Sequence, residues 1–264
     1  MDGQSEAGSF RTAPGASAKE LSFYAYGDTR ANHYLWGPVN DHENVCKAIM
    51  SDMSGSALRQ TLILNDGDVV RHGLDEAYWD TQYFNRCYPG QMQLESTLPI
   101  MTSIGNHECY LSNCAGIDSV IGGQLLLKYW PYAMFPRNDR FYYSFDYGPI
   151  HVAVVDTWMH RDYTPGTDQY EWLSKDLDSA GKAWKIVFMH TPAWDCMFVD
   201  DDIINGLTPL FTQKGVRLVI AERITGMHAI SSRGLPERRE YEYSMISIPE
   251  IICRGAITQA SLAA

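Results

Sequence analysis

The chain has 264 residues, of which 45% are hydrophobic and 20% are charged. These proportions are typical of a globular protein, and they exclude collagen, coiled coil and wholly disordered chains. Its 21 basic and 32 acidic residues give a net charge of −11 with histidine neutral, which argues against passive binding to nucleic acid, whose phosphates would be repelled.

Short apolar runs alternate with longer amphipathic stretches from residue 21 onward, which is the pattern of an α/β protein. Strands are predicted at residues 21–26, 61–64, 98–104, 141–145, 150–155, 184–189 and 216–221, with one more around 243–248. Helices are predicted at residues 40–53, 74–84, 168–180 and 202–214. The strands at 141–145 and 150–155 are joined by a turn-forming Asp-Tyr-Gly-Pro sequence, which predicts a β-hairpin.

The two ends of the chain differ from its middle. Residues 1–19 are rich in Gly, Ser and Ala and lack the basic and apolar regions of a signal peptide, so they are predicted to be a flexible leader. One domain over residues 20–223 and a divergent tail over residues 224–264 are predicted to follow. No apolar run reaches about 18 residues, so no membrane-spanning helix is predicted. The compartment stays open between the cytoplasm and export from a truncated precursor, and the oligomeric state is open too.

The chain has six cysteines, and two of them are close in sequence. The spacing of Cys109 and Cys114 fits neither a zinc motif nor a redox pair. The sequence therefore leaves two alternatives, which are reduced thiols or a local disulfide between these two residues in an exported protein.

Four polar residues lie at or shortly after the carboxyl ends of four predicted strands. They are Asp28, Asp68, Asn106 and His190. Because ligands of open α/β sheets bind outside the carboxyl ends of the strands, these side chains are expected to converge. Each of the first three has a glycine beside it, which allows the close backbone approach that a crowded ion site requires. The neighbouring Asp66 is expected to serve the turn itself.

The types of these donors indicate a catalytic metal site. Carboxylates, an amide and an imidazole suit Mn, Zn or Fe, and the set lacks the thiolates of structural zinc sites. Two divalent ions about 3.5–4 Å apart, sharing one carboxylate, can generate hydroxide at neutral pH and clamp an in-line displacement at phosphorus. Asp68, which follows a central strand, is the predicted bridging carboxylate.

The same residues stand in motifs that resemble the calcineurin-like metallophosphoesterase family, to which the purple acid phosphatases are related. The motifs, in family order, are Gly-Asp-Thr-Arg at 27–30, Gly-Asp at 67–68, Gly-Asn-His-Glu at 105–108 and a strand ending in His-Thr-Pro at 185–192. The resemblance implies an α/β fold of two packed mixed β-sheets flanked by helices. It also implies hydrolysis of a phosphomonoester or a phosphodiester by metal-activated hydroxide, with two divalent ions as cofactors.

The resemblance also assigns a role to each motif residue. Asp28 would bind the first metal ion, Asp68 would bridge the two ions, and the second ion would be held by Asn106 and His190. His107 would contact the phosphate or protonate the leaving oxygen, a role that suits an imidazole near neutral pH.

Two departures from the family pattern concern the first metal ion. Arg30 stands where many members carry a histidine ligand; its planar guanidinium would grip phosphate oxygens, and pairing with a carboxylate is the alternative. The Gly-His-x-His motif, which supplies one imidazole to each ion, is missing after the strand at 216–221, and the single, displaced His228 is the remaining candidate. The first ion therefore keeps only Asp28 and Asp68.

Two functions of different classes follow from these patterns. The first is a metal-dependent phosphoester hydrolase. The second is a catalytically impaired member that keeps the fold as a binding or regulatory module, which the missing motif favours. An ion count near two per chain would support the enzyme, whereas an ion-free protein that stays inert with added Mn or Zn would support the module.

Overall fold

The computed structural model describes residues 7–30, 41–84, 88–109, 119–136, 140–182, 184–193, 199–222, 227–231, 244–245 and 258–263. Residues 41, 119–123, 222, 227–231, 244–245 and 258–263 are described by their backbone alone. The strands in this part of the chain are β1 (Glu20–Tyr26), β2 (Ile63–Asn65), β3 (Ile100–Thr102), β4 (Tyr143–Tyr147), β5 (Ile150–Val155), β6 (Trp184–Met189), β7 (Leu218–Glu222), β8 (Met227–Ser231), β9 (Ser244–Met245) and β10 (Thr258–Ala263). The α-helices are α1 (Asp41–Ser54), α2 (Glu76–Tyr78), α3 (Pro89–Glu95), α4 (Ser119–Tyr129), α5 (Asp168–Ser179) and α6 (Thr208–Gln213).

These strands form two mixed sheets. The first has the order β10-β1-β2-β3, in which β1, β2 and β3 are parallel and β10 is antiparallel to β1. The second has the order β4-β5-β6-β7-β8-β9, with β5, β6 and β7 parallel and antiparallel strands on both sides. Tyr26 lies opposite Asn65, and Asn65 lies opposite Thr102, so the carboxyl ends of β1, β2 and β3 are level.

The main core lies between the two sheets. Phe23 of β1 and Leu64 of β2 pack there with Val152 of β5 and Phe188 of β6, and all four are fully buried. The outer face of the second sheet packs against α5 and α6, and the outer face of the first sheet packs against α1 and α3. Both sheets are therefore covered on both faces, as their parallel centres require. The predicted α/β fold of two packed mixed sheets flanked by helices is confirmed.

Most predicted elements occur where the sequence places them, and the differences have physical causes. The helix predicted at 74–84 divides into α2 and a turn of π-helix (Trp79–Tyr83). The sequence does not predict α3, because its amino-terminal cap comes from another helix. The amides of Gly90 and Gln91 donate to the Glu43 carboxylate of α1 at 3.1 and 2.9 Å.

Both ends of the described chain contact the rest of the fold. The backbone of β10 pairs with residues 20–25 of β1, so the tail contributes a strand to the first sheet. The Ser9 amide donates to the Ser96 carbonyl at 2.9 Å. β9 falls within the strand predicted at 243–248. The division into leader, domain and tail stays a prediction.

Two further expectations concern membrane spans and disulfides. No helix in the described ranges is long and apolar enough to cross a membrane. Cys109 is a buried thiol, and burial raises its pKa above the ordinary value. Cys114 lies outside the described residues, so the alternative of a disulfide between the two stays a prediction.

Candidate metal centre

The four predicted metal ligands lie together at the carboxyl ends of the parallel strands. Asp28 follows β1, Asp68 follows β2, Asn106 follows β3 and His190 follows β6. One ligand atom each of Asp28, Asp68 and His190 lies within 4.8 Å of the others. The Asn106 Oδ1 lies 3.1 Å from the His190 Nε2 and completes what we call the ligand cluster. The structure brings all four side chains together, and their role as ligands stays a prediction.

Close backbone packing holds the two aspartates in place. Asp28 and Asp68 have φ angles of 51° and 53°, in the left-handed region that few residues other than glycine adopt. Such a conformation costs about 1–3 kcal/mol, so the surrounding structure must enforce it. The Asp28 amide donates to the Gly67 carbonyl at 3.1 Å, which joins the loops after β1 and β2. A Cβ on Gly105 would lie 2.2 Å from the Asp68 Oδ1, so a glycine is required there.

His190 presents one ring nitrogen to the cluster in a fixed orientation. Its Nδ1 lies 2.8 Å from the Asp66 carbonyl, which can only accept, so the ring proton sits on Nδ1. When the imidazole is neutral, its Nε2 offers a lone pair beside the Asn106 Oδ1 at 3.1 Å and the Asp68 Oδ1 at 3.6 Å. Three acceptor atoms that face one another in a buried place favour a cation among them. The carbonyl of Asp66 thus adds a function beyond the turn that the sequence predicts for it.

The two aspartates differ in their pKa. Burial, and then the negative charge of Asp68, raise the pKa of Asp28 to about 6. Burial also acts to raise the pKa of Asp68, but its cationic and protonatable neighbours together bring it below the ordinary value. These neighbours are His190, Arg30 and His107. Asp68 therefore loses its proton at a lower pH than Asp28, which suits its predicted bridging role.

Glu108 supports the ligand loops, although the sequence analysis gives it no role. Its buried carboxylate accepts the backbone N–H groups of Asp68, Val69 and Gly105 at 2.8, 2.9 and 2.8 Å. It therefore ties the loop after β2 to the loop after β3. Burial and then the charge of Asp68 raise the pKa of Glu108 to about 7, while the amide donors act in the opposite direction. Its place in the Gly-Asn-His-Glu motif is the signal that could have indicated it.

His107 lies beside the cluster with a defined tautomer. Its Nδ1 lies 2.7 Å from the Arg71 carbonyl, so this nitrogen carries the proton, and its Nε2 lies 3.9 Å from the Asp68 Oδ2. Burial lowers the pKa of His107 to about 4, so the ring is neutral near pH 7 in this environment. Proton donation by His107 would therefore need a nearby negative charge, such as a bound phosphate, and this role stays a prediction.

Arg30 is engaged with both aspartates. One Nη atom pairs with the Asp28 Oδ1, and the other lies 3.2 Å from the Asp68 Oδ2. Burial acts to lower the pKa of Arg30, but the two carboxylates outweigh it and raise the pKa, so the guanidinium stays charged. The carboxylate pairing that the sequence left as an alternative is therefore present. The remaining N–H groups of the guanidinium keep the predicted grip on phosphate possible in geometric terms.

The structure describes His228 by its backbone alone. This residue lies in β8, opposite Ala221 of β7. Its role as a replacement ligand stays a prediction. Among the described side chains, His190 is the histidine that groups with Asp28 and Asp68.

The residues of the ligand cluster fit a divalent ion. The Asp28 Oδ2 is buried and has no hydrogen-bond partner among the described residues, which is costly unless a cation binds it. The donors are carboxylate and amide oxygens and one imidazole nitrogen, a set that suits Zn, Mn or Fe.

Comparison with known proteins places this geometry in a family context. The family model "Calcineurin-like phosphoesterase" matches residues 26–221. The chain is 27% identical over 191 residues to purple acid phosphatase 18 of Arabidopsis thaliana, which covers 70% of this chain and 39% of that protein. It is 26% identical over 173 residues to probable inactive purple acid phosphatase 27 of the same plant, which covers 62% of this chain and 26% of that protein.

A solved structure is similar in fold. The purple acid phosphatase isolated from yellow lupin (Lupinus luteus) seeds superposes with a TM-score of 0.64 at 19% identity, covering 83% of this chain and 40% of that chain. The chain spans about two fifths of the length of purple acid phosphatase 18. Because the family model covers most of the chain and includes all four residues of the ligand cluster, the chain belongs to the calcineurin-like phosphoesterase family.

Proposed function

We propose that this chain hydrolyses a phosphoester with the help of divalent metal bound at the ligand cluster. The observation that carries the proposal is the convergence of Asp28, Asp68 and His190, whose ligand atoms lie within 4.8 Å of one another. Membership of the family supports metal-dependent phosphoester hydrolysis in general terms. The phosphomonoester or phosphodiester substrate and the number and identity of the ions are parts of the proposal.

The ligand cluster would hold the metal through Asp28, Asp68, Asn106 and His190. When bound, a divalent ion supplies positive charge to the phosphoryl oxygens and makes hydroxide available near neutral pH by lowering the pKa of water. The chain contributes the fixed geometry of its donors. The Asp66 carbonyl orients the imidazole of His190, a type of support that commonly tunes metal ligands.

Two other side chains act on the substrate in this proposal. Arg30 donates N–H groups to phosphate oxygens, as its planar fork allows. His107, held by the Arg71 carbonyl, faces the cluster with its Nε2 and protonates the leaving oxygen once the charge of the phosphate has raised its pKa. The Glu108 carboxylate keeps the loops that carry Asp68 and His107 in register.

The test is turnover of p-nitrophenyl phosphate and bis(p-nitrophenyl) phosphate with added Mn or Zn, with elemental analysis of the same samples. Asp68→Asn should lower turnover by at least about 100-fold and reduce the metal content, because the bridging charge is lost. Asp201→Asn is the matched control, since Asp201 is exposed and lies outside the ligand cluster. Unchanged turnover and metal content in a folded Asp68→Asn protein would refute the proposal.

A second candidate function is a catalytically impaired module that binds a phosphorylated ligand. It is supported by the small donor set on the side of the first ion, which among the described residues consists of Asp28 and Asp68. The similarity to a relative named as probably inactive also supports it. A metal-free protein that stays inert toward both p-nitrophenyl esters with added Mn and Zn would favour this module over the enzyme.

A further inference from the structure

We propose that the guanidinium of Arg30 takes the place of the first metal ion, so that the centre binds a single divalent ion beside Asp68, Asn106 and His190. This inference rests on the proposed function and specifies its metal stoichiometry. It replaces the two-ion centre that the family resemblance implies with one ion and one fixed organic cation.

Asp68 contacts Arg30 with one carboxylate oxygen and lies near His190 with the other. Its two carboxylate oxygens face different partners: the Oδ2 lies 3.2 Å from an Arg30 Nη atom, and the Oδ1 lies 3.6 Å from the His190 Nε2. A bridging carboxylate in a two-metal site would offer one oxygen to each ion. Here one of those oxygens is already paired with the guanidinium.

Asp28 pairs with the same guanidinium as Asp68. Its Oδ1 pairs with the other Nη atom of Arg30, so the guanidinium spans both carboxylates. The Arg30 side chain is only 12% exposed, so water does not screen these ion pairs as it would on the surface. A divalent ion between the same two aspartates would have to displace Arg30 or share a confined place with a like charge. Both are costly in a buried site.

The side of Asp68 that faces Asn106 and His190 has more free donor atoms for a metal ion than the side that faces Arg30. On the far side of Asp68, the Asp68 Oδ1, the Asn106 Oδ1 and the His190 Nε2 provide three donors, as many protein ligands as catalytic zinc commonly keeps. On the Arg30 side, the described residues provide two carboxylates, and one oxygen of each already pairs with the guanidinium, which leaves the Asp28 Oδ2 as the remaining donor there. The single ion therefore belongs on the side of Asn106 and His190.

This arrangement gives Arg30 a catalytic role. Two of its N–H groups hold the aspartates, and the others would be available to donate to the oxygens of a phosphate bound beside the proposed ion. The guanidinium then stabilises the charge that develops on the phosphoryl group, which is the contribution that a second ion would otherwise make. Its charge is always present, so this contribution does not depend on the metal concentration.

The test is an ion count on the purified full chain. Wild-type protein saturated with Mn should hold about one ion per chain by elemental analysis, with the electron paramagnetic resonance spectrum of an isolated ion. Arg30→His supplies an imidazole in place of the guanidinium and should raise the count to about two, with the spectrum of a coupled pair. Arg217→His is the matched control: its exposed side chain stacks on Trp184 at the opposite end of the second sheet, so the count should stay at one.

Each outcome has a defined meaning. Two ions in the wild type would overturn this inference while leaving the proposed function standing. One ion in a folded Arg30→His protein would also overturn it, because Arg30 would then not be what excludes the second ion. No ion in the wild type would overturn this inference and the metal-dependent function together.

A second variant covers a failure of Arg30→His to fold. Arg30→Gln removes the charge and keeps much of the length, and it should admit a second ion at higher Mn concentration, since Asp28 and Asp68 lose their cation. A count that stays at one for folded Arg30→Gln at saturating Mn would contradict the inference.

Discussion

The carboxylate of Glu108 offers the sharpest single test of how the site is built. It accepts three buried amides, those of Asp68, Val69 and Gly105, and so joins two loops that carry the predicted ligands. Glu108→Gln keeps the shape of the side chain and replaces one acceptor oxygen by an NH2 donor. The change therefore probes hydrogen bonding without creating a cavity.

The expected magnitude follows from counting acceptors. If the amide oxygen of the new side chain serves Asp68 and Gly105, the Val69 amide loses its acceptor and faces a donor. One buried and unsatisfied N–H group costs about 1–3 kcal/mol, so the free energy of unfolding should fall by about 2 kcal/mol. For a domain of this size, that loss lowers the melting temperature by about 4–8 °C. The opposite orientation of the amide leaves two N–H groups without an acceptor and costs more.

The same change should weaken metal binding, because the loops that carry Asp68 and His107 lose their common anchor. Loss of a residue that supports metal ligands typically lowers metal affinity or activity by about 10–100-fold. Urea unfolding gives the stability, and calorimetric titration with Mn or Zn gives the affinity. Glu171→Gln is the matched control, since Glu171 accepts one amide, from Gly166 at 2.9 Å, on the exposed surface of α5. Wild-type stability and metal affinity in Glu108→Gln would refute the reasoning that both oxygens of this carboxyl group are needed to hold the three amides.

Two further predictions concern the backbone and the pH dependence of stability. Gly67→Ala places a Cβ 2.4 Å from the Gly105 amide nitrogen at a φ of 98°, so it should lower the free energy of unfolding in urea by more than about 2 kcal/mol. Gly181→Ala is the control, since a Cβ there meets open space and should leave this free energy nearly unchanged. Equal stabilities of the two variants would contradict the prediction. The His151 ring is hydrogen-bonded to the carboxylates of Asp176 at 2.8 Å and Asp146 at 2.9 Å. Burial acts to lower the pKa of His151, but these two carboxylates outweigh it and raise the pKa. The two aspartates stabilise the folded chain fully at a pH below the pKa that His151 has in the unfolded chain, and this stabilisation is lost as the pH rises through the higher pKa of the folded chain. His151→Gln should therefore lower the free energy of unfolding more at about pH 5.5 than at about pH 9. A decrease in this free energy that becomes larger with rising pH would contradict the assignment.

The fold is predictable where local pattern and tertiary environment agree. β6 runs from Trp184 to Met189, as the apolar run predicts, because a buried parallel strand needs a continuous apolar sequence. β10 is not predicted, because its sequence, Thr-Gln-Ala-Ser-Leu-Ala, carries little strand signal and its pairing with β1 is made across the whole chain. α3 is missed for the same reason, since its cap is the distant Glu43. Long-range backbone pairing leaves little trace in local composition.

The site divides along a similar line. The positions of Asp28 and Asp68 are predictable because level, parallel strands bring their carboxyl ends to one edge of the first sheet. His190 ends a parallel strand of the second sheet, which packs against the first. The contacts that hold these side chains in place are not predictable from the sequence, because their partners are backbone atoms. Glu108 binds amides, and His190 binds the Asp66 carbonyl, and neither partner depends on the identity of a side chain. A motif indicates which side chains converge, but it does not indicate what holds them in place.

The ligand cluster is costly without a positive partner, and this gives the charge of Arg30 its importance. The Asp68 Oδ1, the Asn106 Oδ1 and the His190 Nε2 face one another in a buried place, and the buried Asp28 Oδ2 has no hydrogen-bond partner among the described residues, so both places favour a bound cation. A cation bound there stabilises the folded chain as well as the site, because the unfolded chain has no comparable place for it. The guanidinium is covalently part of the chain, whereas a divalent ion must come from solution. In the proposed one-ion centre, the guanidinium therefore pairs with the Asp28 Oδ1 and the Asp68 Oδ2 at any metal concentration, whereas the side of Asn106 and His190 would reach its full stability only when metal is bound.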